Sequence, residues 1–171
     1  SSVYGENSKV FNENDLCNKP QSLYGATKIS NEILAYVYSS LYGINSIGLR
    51  FFTVYGPWGR PDMAYYSFTK AILNDETIKI YNKGKHKRAF TYIDDITHSI
   101  FLLFKKFRNK NEYFEILNIG GSKSIHLIDF VKTLENILNK NAIIKEFPKQ
   151  PGDVENTSSD CSKLNKLIDF S

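Results

Sequence analysis

Three observations predict an α/β fold. Short apolar runs suited to buried parallel strands alternate with segments of helical periodicity. Glycine and proline clusters separate them. The 171 residues, 42% hydrophobic and 23% charged, suffice for a core of ordinary globular composition.

The elements follow in order. Residues 1–5 (SSVYG) read as the end of a strand and its exit, and residues 6–23 as a polar loop with Pro20 near its end. Residues 25–42 predict a helix, because Ile29, Ile33, Val37 and Leu41 recur every fourth position and Gly43 supplies a stop. SIGLRFF, residues 46–52, predicts a buried parallel strand, and Gly56, Pro57, Gly59 and Pro61 a loop. A helix is expected over 63–74, then a short strand in KIYNKG ending at Gly84 and another in RAFTYI. Asp94 and Asp95 read as caps of a helix running from Ile96 to Phe107. EILNIGG reads as a strand leading into glycines. Ser124 is placed to cap a helix near 126–139, AIIKEF reads as a strand, and a short helix near 160–168 closes the pattern.

Net charge is +4 without a long basic run. The densest cluster is Lys83, Lys85, Lys87 and Arg88. It reads as a solvated loop or as a contact for a pyrophosphate-bearing small molecule; no zinc or recognition-helix pattern accompanies it, which argues against nucleic acid. Cys17 and Cys161 are far apart and outside CxxC spacing, which points to a reduced, cytoplasmic protein. His86, His98 and His126 lack metal spacing, and no apolar run is long enough to cross a bilayer. No GxGxxG or GxxGxxG opens a helix, so the usual cradle for a dinucleotide pyrophosphate is missing from these residues. The chain begins at Ser1, without Met, inside an apparent strand end; the expectation is that an upstream half precedes it.

Tyr24 and Lys28 form a YxxxK pair. Tyr66/Lys70 and Tyr81/Lys85 match the same pattern, but the first sits at a helix start, where residues four apart share a face. The spacing suits base chemistry. A free phenol titrates near pH ~10, and a neighbouring ammonium or cationic ring favours the phenolate.

SSVYG, YGATK, LRFFTVYGPWGRPDMA, RAFTYIDDI, NIGGS and PGDV occur in that order. The ordered set resembles the extended short-chain dehydrogenase/reductase family over nearly the whole chain. Within the family it is most similar to UDP-glucuronate 4-epimerases of the capsule and cell-wall polysaccharide type. The resemblance implies the C-terminal part of a Rossmann-like doubly wound parallel sheet plus a small mixed α/β substrate-binding domain. Residues 1–56 would belong to the NAD-binding part. Residues 57–171 would mainly hold the nucleotide-sugar, returning to the main sheet near 86–120.

The resemblance also implies roles. Tyr24 and Lys28 would be catalytic and would touch NAD. The family's catalytic Ser or Thr would fall one residue before Ser1, leaving Ser1 and Ser2 as its neighbours at the site. Dehydratases and decarboxylases of the family carry an acid where Ser2 stands, so serine favours epimerisation. Thr53 and Arg60 would face the C6 carboxylate, which a guanidinium can grip with two parallel hydrogen bonds; the competing reading of Arg60 is a loop salt bridge to Asp62. Holding that carboxylate would also protect a 4-keto uronate from losing CO₂. Phe52 would lie beside the nicotinamide, although core packing is expected of at least one of Phe51 and Phe52. Tyr81 would lie along the uracil, Arg88 on the pyrophosphate and Asp153 against the nucleotide. Gln150 departs from the Arg of galactose-type relatives. Asp94, Asp95, His98 and Lys163 read as structural.

The implied activity is NAD-dependent C4 epimerisation of a UDP-hexuronic acid through a transient 4-keto sugar, with these residues inactive alone. The alternatives are another nucleotide-sugar epimerase, dehydratase or decarboxylase of the same family, and a non-catalytic UDP- or partner-binding fragment. A homo-oligomer, or association through exposed sheet edges, is also expected. The reading requires Tyr24 and Arg60 to share one cleft.

Overall fold

The computed structural model describes residues 1–5, 10–110, 113–121, 123–149 and 156–168. A 3-10 turn at Ser2–Tyr4 leads through a loop to helix α1, Leu23–Tyr42. Ser22 caps α1, its hydroxyl accepting from the Gly25 N–H at 3.0 Å, and Gly43 ends it in the left-handed region at φ 63°. Strands β1 (Ser46–Phe51) and β2 (Thr53–Tyr55) follow, then α2 (Ala64–Leu73), β3 (Thr77–Tyr81), β4 (Lys87–Tyr92) and α3 (Ile93–Phe107). The remainder is β5 (Phe114–Ile119), β6 (Ser124–His126), α4 (Leu127–Leu138), β7 (Ile143–Phe147), β8 (Asn156–Thr157) and α5 (Ser162–Leu167).

β1 runs parallel to β5, with Leu49 opposite Leu117. β2 runs parallel to β4, which also pairs antiparallel with β6 and parallel with β8. β3 runs parallel to β7. The apolar run 46–52 therefore changes partner at Phe52, whose N–H donates to the Ile119 carbonyl at 3.3 Å. One core joins Ile96, Leu103 and Phe107 of α3 to Leu117 and Ile119 of β5 and Leu164 of α5. A second joins Ala71 and Ile72 of α2 to Ile78 and Ile80 of β3 and Val131 of α4. A third, of Val3, Tyr4, Phe11 and Phe52, lies beneath the start of α1.

Three local expectations are corrected, and α1 adds a finding of its own. Residues 2–4 form a 3-10 turn, closed by the Tyr4 N–H on the Ser1 carbonyl at 3.1 Å, instead of the end of a strand. Ser124 pairs within β6, opposite Ala89, so the α4 N-cap is His126. Asp94 and Asp95 lie inside the first turn of α3, where they oppose the positive end of the helix dipole, and Tyr92 holds the N-cap. On α1 the stripe that revealed the helix is not its buried face. Ile29 packs on the third core, but Ile33, Val37 and Leu41 are exposed, and the side turned inward carries Gly25 and Ser39. Periodicity identifies a helix without saying which surface meets the stripe.

Candidate active site

The inward face of α1 is set by a buried polar network. Arg50 of β1, 7% exposed, donates from Nε and Nη2 to the two carboxylate oxygens of Glu32, each at 2.8 Å. Its guanidinium lies 4.7 Å from the centre of the Tyr4 ring. Burial opposes the Arg50 charge, but the bonds to Glu32 and the contact with Tyr4 outweigh it and hold its pKa above the ordinary value. The Tyr4 hydroxyl donates to Asn118 Oδ1 at 2.5 Å, and Asn118 Nδ2 donates to the carbonyls of Phe11 and Asp160. Burial pushes the Tyr4 phenol up to about 12, with Arg50 and Asn118 pulling the other way. Together these bonds pin α1 to β1, to the 3-10 turn and to β5.

Tyr24, Lys28 and Glu32 stand at successive turns along one stripe of α1, the first two exposed. The Lys28 ammonium sits over the Tyr24 ring, 5.3 Å from its centre. Gly25 lets the helix start come close: a Cβ there would stand 2.7 Å from the Ser2 carbonyl oxygen and 3.1 Å from Pro20 Cβ.

Three cavities adjoin one another here, two of them bordering α1. The largest, about 630 Å³, is lined by Ser1, Ser2, Tyr24, Phe52, Thr53 and Arg60 among others, so Tyr24 and Arg60 do share a cleft. Trp58 stands at its mouth, fully exposed and at φ 64°. A second cavity, about 390 Å³, shares Ser1, Ser2, Tyr24 and Phe51 with the first and adds Lys28, Asn31, Glu32 and Arg50. A third, about 320 Å³, meets the first at Thr53 and Met63 and holds Lys79, Tyr81, His86 and Arg88.

Most of the residues singled out in the sequence thus converge on one continuous groove. Arg60 is exposed, and its Nε and Nη2 donate to Asp62 at 3.1 and 2.9 Å, the loop salt bridge that competed with carboxylate binding. Phe52 reaches the cleft wall but is 6% exposed and packs in the core with Phe11. Phe51, the half-exposed ring of the pair, lines both the first and second cavities. Tyr81 packs its ring on Phe147, 5.5 Å between centres. Lys163 pairs with Glu115, away from the groove, and His98 is exposed on α3. Asp153 and Gln150 lie outside the described residues. Gly25, Phe51, Glu32 and Arg50 were missed in the sequence. Only Gly25 carried a signal there, as a helix-weakening residue directly after Tyr24.

Known proteins resemble this chain over nearly its whole length. The chain is 50% identical over 171 residues to an uncharacterized protein of Methanocaldococcus jannaschii, covering 99% of this chain and 51% of that protein. It is 40% identical over 186 residues to a probable UDP-glucuronate 4-epimerase of Rhizobium meliloti, covering 99% of this chain and 54% of the relative. The structure superposes with a TM-score of 0.92 on a UDP-glucuronic acid 4-epimerase of Bacillus cereus solved with UDP-glucuronic acid and NAD, at 39% identity over all of this chain and 54% of that one. The chain therefore spans about half the length of these relatives. Cys17 and Cys161 are not joined in a disulfide, and among the described residues no helix is long and apolar enough to cross a membrane. The family model for NAD dependent epimerases and dehydratases matches residues 1–120, and the chain belongs to the NAD dependent epimerase/dehydratase family.

Proposed function

We propose that this chain is the substrate-side half of an NAD-dependent UDP-glucuronate 4-epimerase, acting in the cytoplasm. The observation that carries the reading is that Tyr24, Thr53 and Arg60 line one cleft, with Tyr81 and Arg88 in the cavity that continues from it. Residues 1–56 would then serve the cofactor and residues 57–171 mainly the nucleotide-sugar, with a return to the main sheet near 86–120.

Tyr24 and Lys28, with Ser1 and Phe51, border the second cavity and fit the nicotinamide–ribose end of NAD. No glycine-rich turn in this sequence fits its diphosphate. When bound, NAD supplies the acceptor and donor for a hydride. Tyr24, with the Lys28 ammonium over its ring, takes the proton of the C4 hydroxyl and later returns it to the 4-keto oxygen. Between these steps the keto sugar turns about its bond to the diphosphate. Ser1 and Ser2 border the reacting end, Thr53 and Arg60 orient the carboxylate, and Phe52 backs the ring. Asp153 is carried over as a nucleotide contact.

These residues alone are expected to be inactive and to self-associate. A second reading, epimerisation of an uncharged hexose, draws on the Arg60–Asp62 pair, which already occupies one edge of the guanidinium. The test is to fuse the chain behind the dinucleotide-binding half of the Bacillus cereus relative and follow UDP-glucuronate by NMR. UDP-galacturonate should form, and Tyr24→Phe should abolish it. A fusion that binds both ligands but releases CO₂ and a pentose, or turns over only UDP-glucose, would overturn the proposal. Arg60→Ala should raise the ratio of pentose to epimer. For the isolated chain, a monodisperse monomer in light scattering would refute self-association.

A further inference from the structure

The third cavity contains a residue that the proposed chemistry does not use. Strand alternation turns His86, just before β4, and then Arg88 and Phe90 toward it, while Lys79 and Tyr81 face it from β3. His86 lines the cavity and is 3% exposed. Its carbonyl accepts from the Leu127 N–H at 2.9 Å, which fixes the backbone beneath the ring. A protonated His86 would place a third positive charge beside Lys79 and Arg88. Asp62 is the one carboxylate among the described lining residues.

We propose that His86 is a further binding residue for the diphosphate of a nucleoside diphosphate ester, its protonated ring adding a charge beside Arg88, so that affinity rises as pH falls. The inference rests on reading this cavity as the nucleotide end of the groove. On the described elements around it the other charged or titratable side chains are Asp62 in the loop, Tyr65, Tyr66 and Lys70 of α2, Lys79 and Tyr81 of β3, Lys83, Lys85, Lys87, Arg88 and Tyr92 in and before β4, His126 on β6, and Asp129, Lys132 and Glu135 of α4. Histidine is the one residue type among them that ordinarily titrates between pH 5.5 and 8, so His126 is the competing group.

The test is calorimetric titration of the 171-residue chain with UDP-glucuronate from pH 5.5 to 8. The diphosphate of this ligand is esterified at both ends and keeps a constant charge over that range. Affinity should be about five- to tenfold higher at pH 5.5. His86→Gln should flatten the profile while matching the native chain within about twofold at pH 8, and His126→Gln should leave the profile intact. UDP-glucose, whose sole charge is the diphosphate, should show the same ratio. A flat native profile, a profile that disappears with His126, or one confined to UDP-glucuronate would overturn the assignment. Should His86→Gln fail to fold, proton NMR of the native chain decides: saturating ligand must move the His86 titration midpoint upward, and an unmoved midpoint refutes the contact. Absence of binding at every pH by a natively folded chain would refute the nucleotide reading itself, and this inference with it.

Discussion

Neutralising Glu32 should destabilise the fold more than removing Arg50, although the two form one ion pair. The Arg50 side chain is 6% exposed and that of Glu32 17%. Glu32→Gln leaves a guanidinium charge in the interior, where Nη1 already lacks a partner among the described residues. Breaking a buried pair in this way costs 3–5 kcal/mol; the partial exposure of Glu32 favours the lower end, about 3 kcal/mol. For a chain of this length that lowers Tm by about 6–12 °C. Arg50→Met leaves the carboxylate, which has some access to water, so its cost should be nearer about 1–2 kcal/mol. The double variant leaves no unpaired charge and should be more stable than Glu32→Gln alone. Urea denaturation followed by circular dichroism at pH 7 measures all three. A Glu32→Gln cost below that of Arg50→Met, or costs that simply add in the double variant, would refute the claim that this pair is a desolvated unit holding α1 to β1.

Other perturbations test other joints of the site. Gly→Ala inside a helix normally stabilises by about 1 kcal/mol, but Gly25→Ala should destabilise by about 1–3 kcal/mol, because its Cβ would meet the Ser2 carbonyl; thermal melts give the sign, and a higher Tm refutes the close approach. Tyr4, pushed up to about 12 by burial, contributes stability that is complete below pH ~10 and is lost as pH rises from there through about 12. The loss approaches about 3 kcal/mol, and urea midpoints at pH 9 and 11.5 should fall further in the native chain than in Tyr4→Phe. Asp62→Asn should free the Arg60 edge and raise affinity for UDP-glucuronate about three- to tenfold relative to UDP-glucose, and Arg60→Ala should erase the preference; equal effects on both ligands, measured by calorimetry, would detach Arg60 from the carboxylate.

The sequence carried the helices well: a four-residue period ending at Gly43 marked α1, and a dense apolar period marked α3. It carried the longer strands too. The three-residue strands β2 and β6 were not legible, since a partner's register defines them more than any local preference. For the same reason Ser124, a good cap by residue type, was drawn into a ladder instead. The site was legible where the ordered motifs fall, at Tyr24, Lys28, Thr53, Arg60, Tyr81 and Arg88. What supports them was not: Glu32 and Arg50 are eighteen positions apart and no spacing rule joins them. The stripe of Ile33, Val37 and Leu41 was visible as a period, but which surface it meets is a tertiary fact.

Trp58 is the only tryptophan in the chain, and it stands wholly in solvent at the edge of the cleft. Its emission is therefore nearly blind to melting of the three cores, since the indole is already hydrated before they open. The same isolation makes it a private reporter: light absorbed at about 295 nm is emitted from one place, beside the cavity that Tyr24 and Arg60 line. A blue shift on adding ligand would locate the event there without any label.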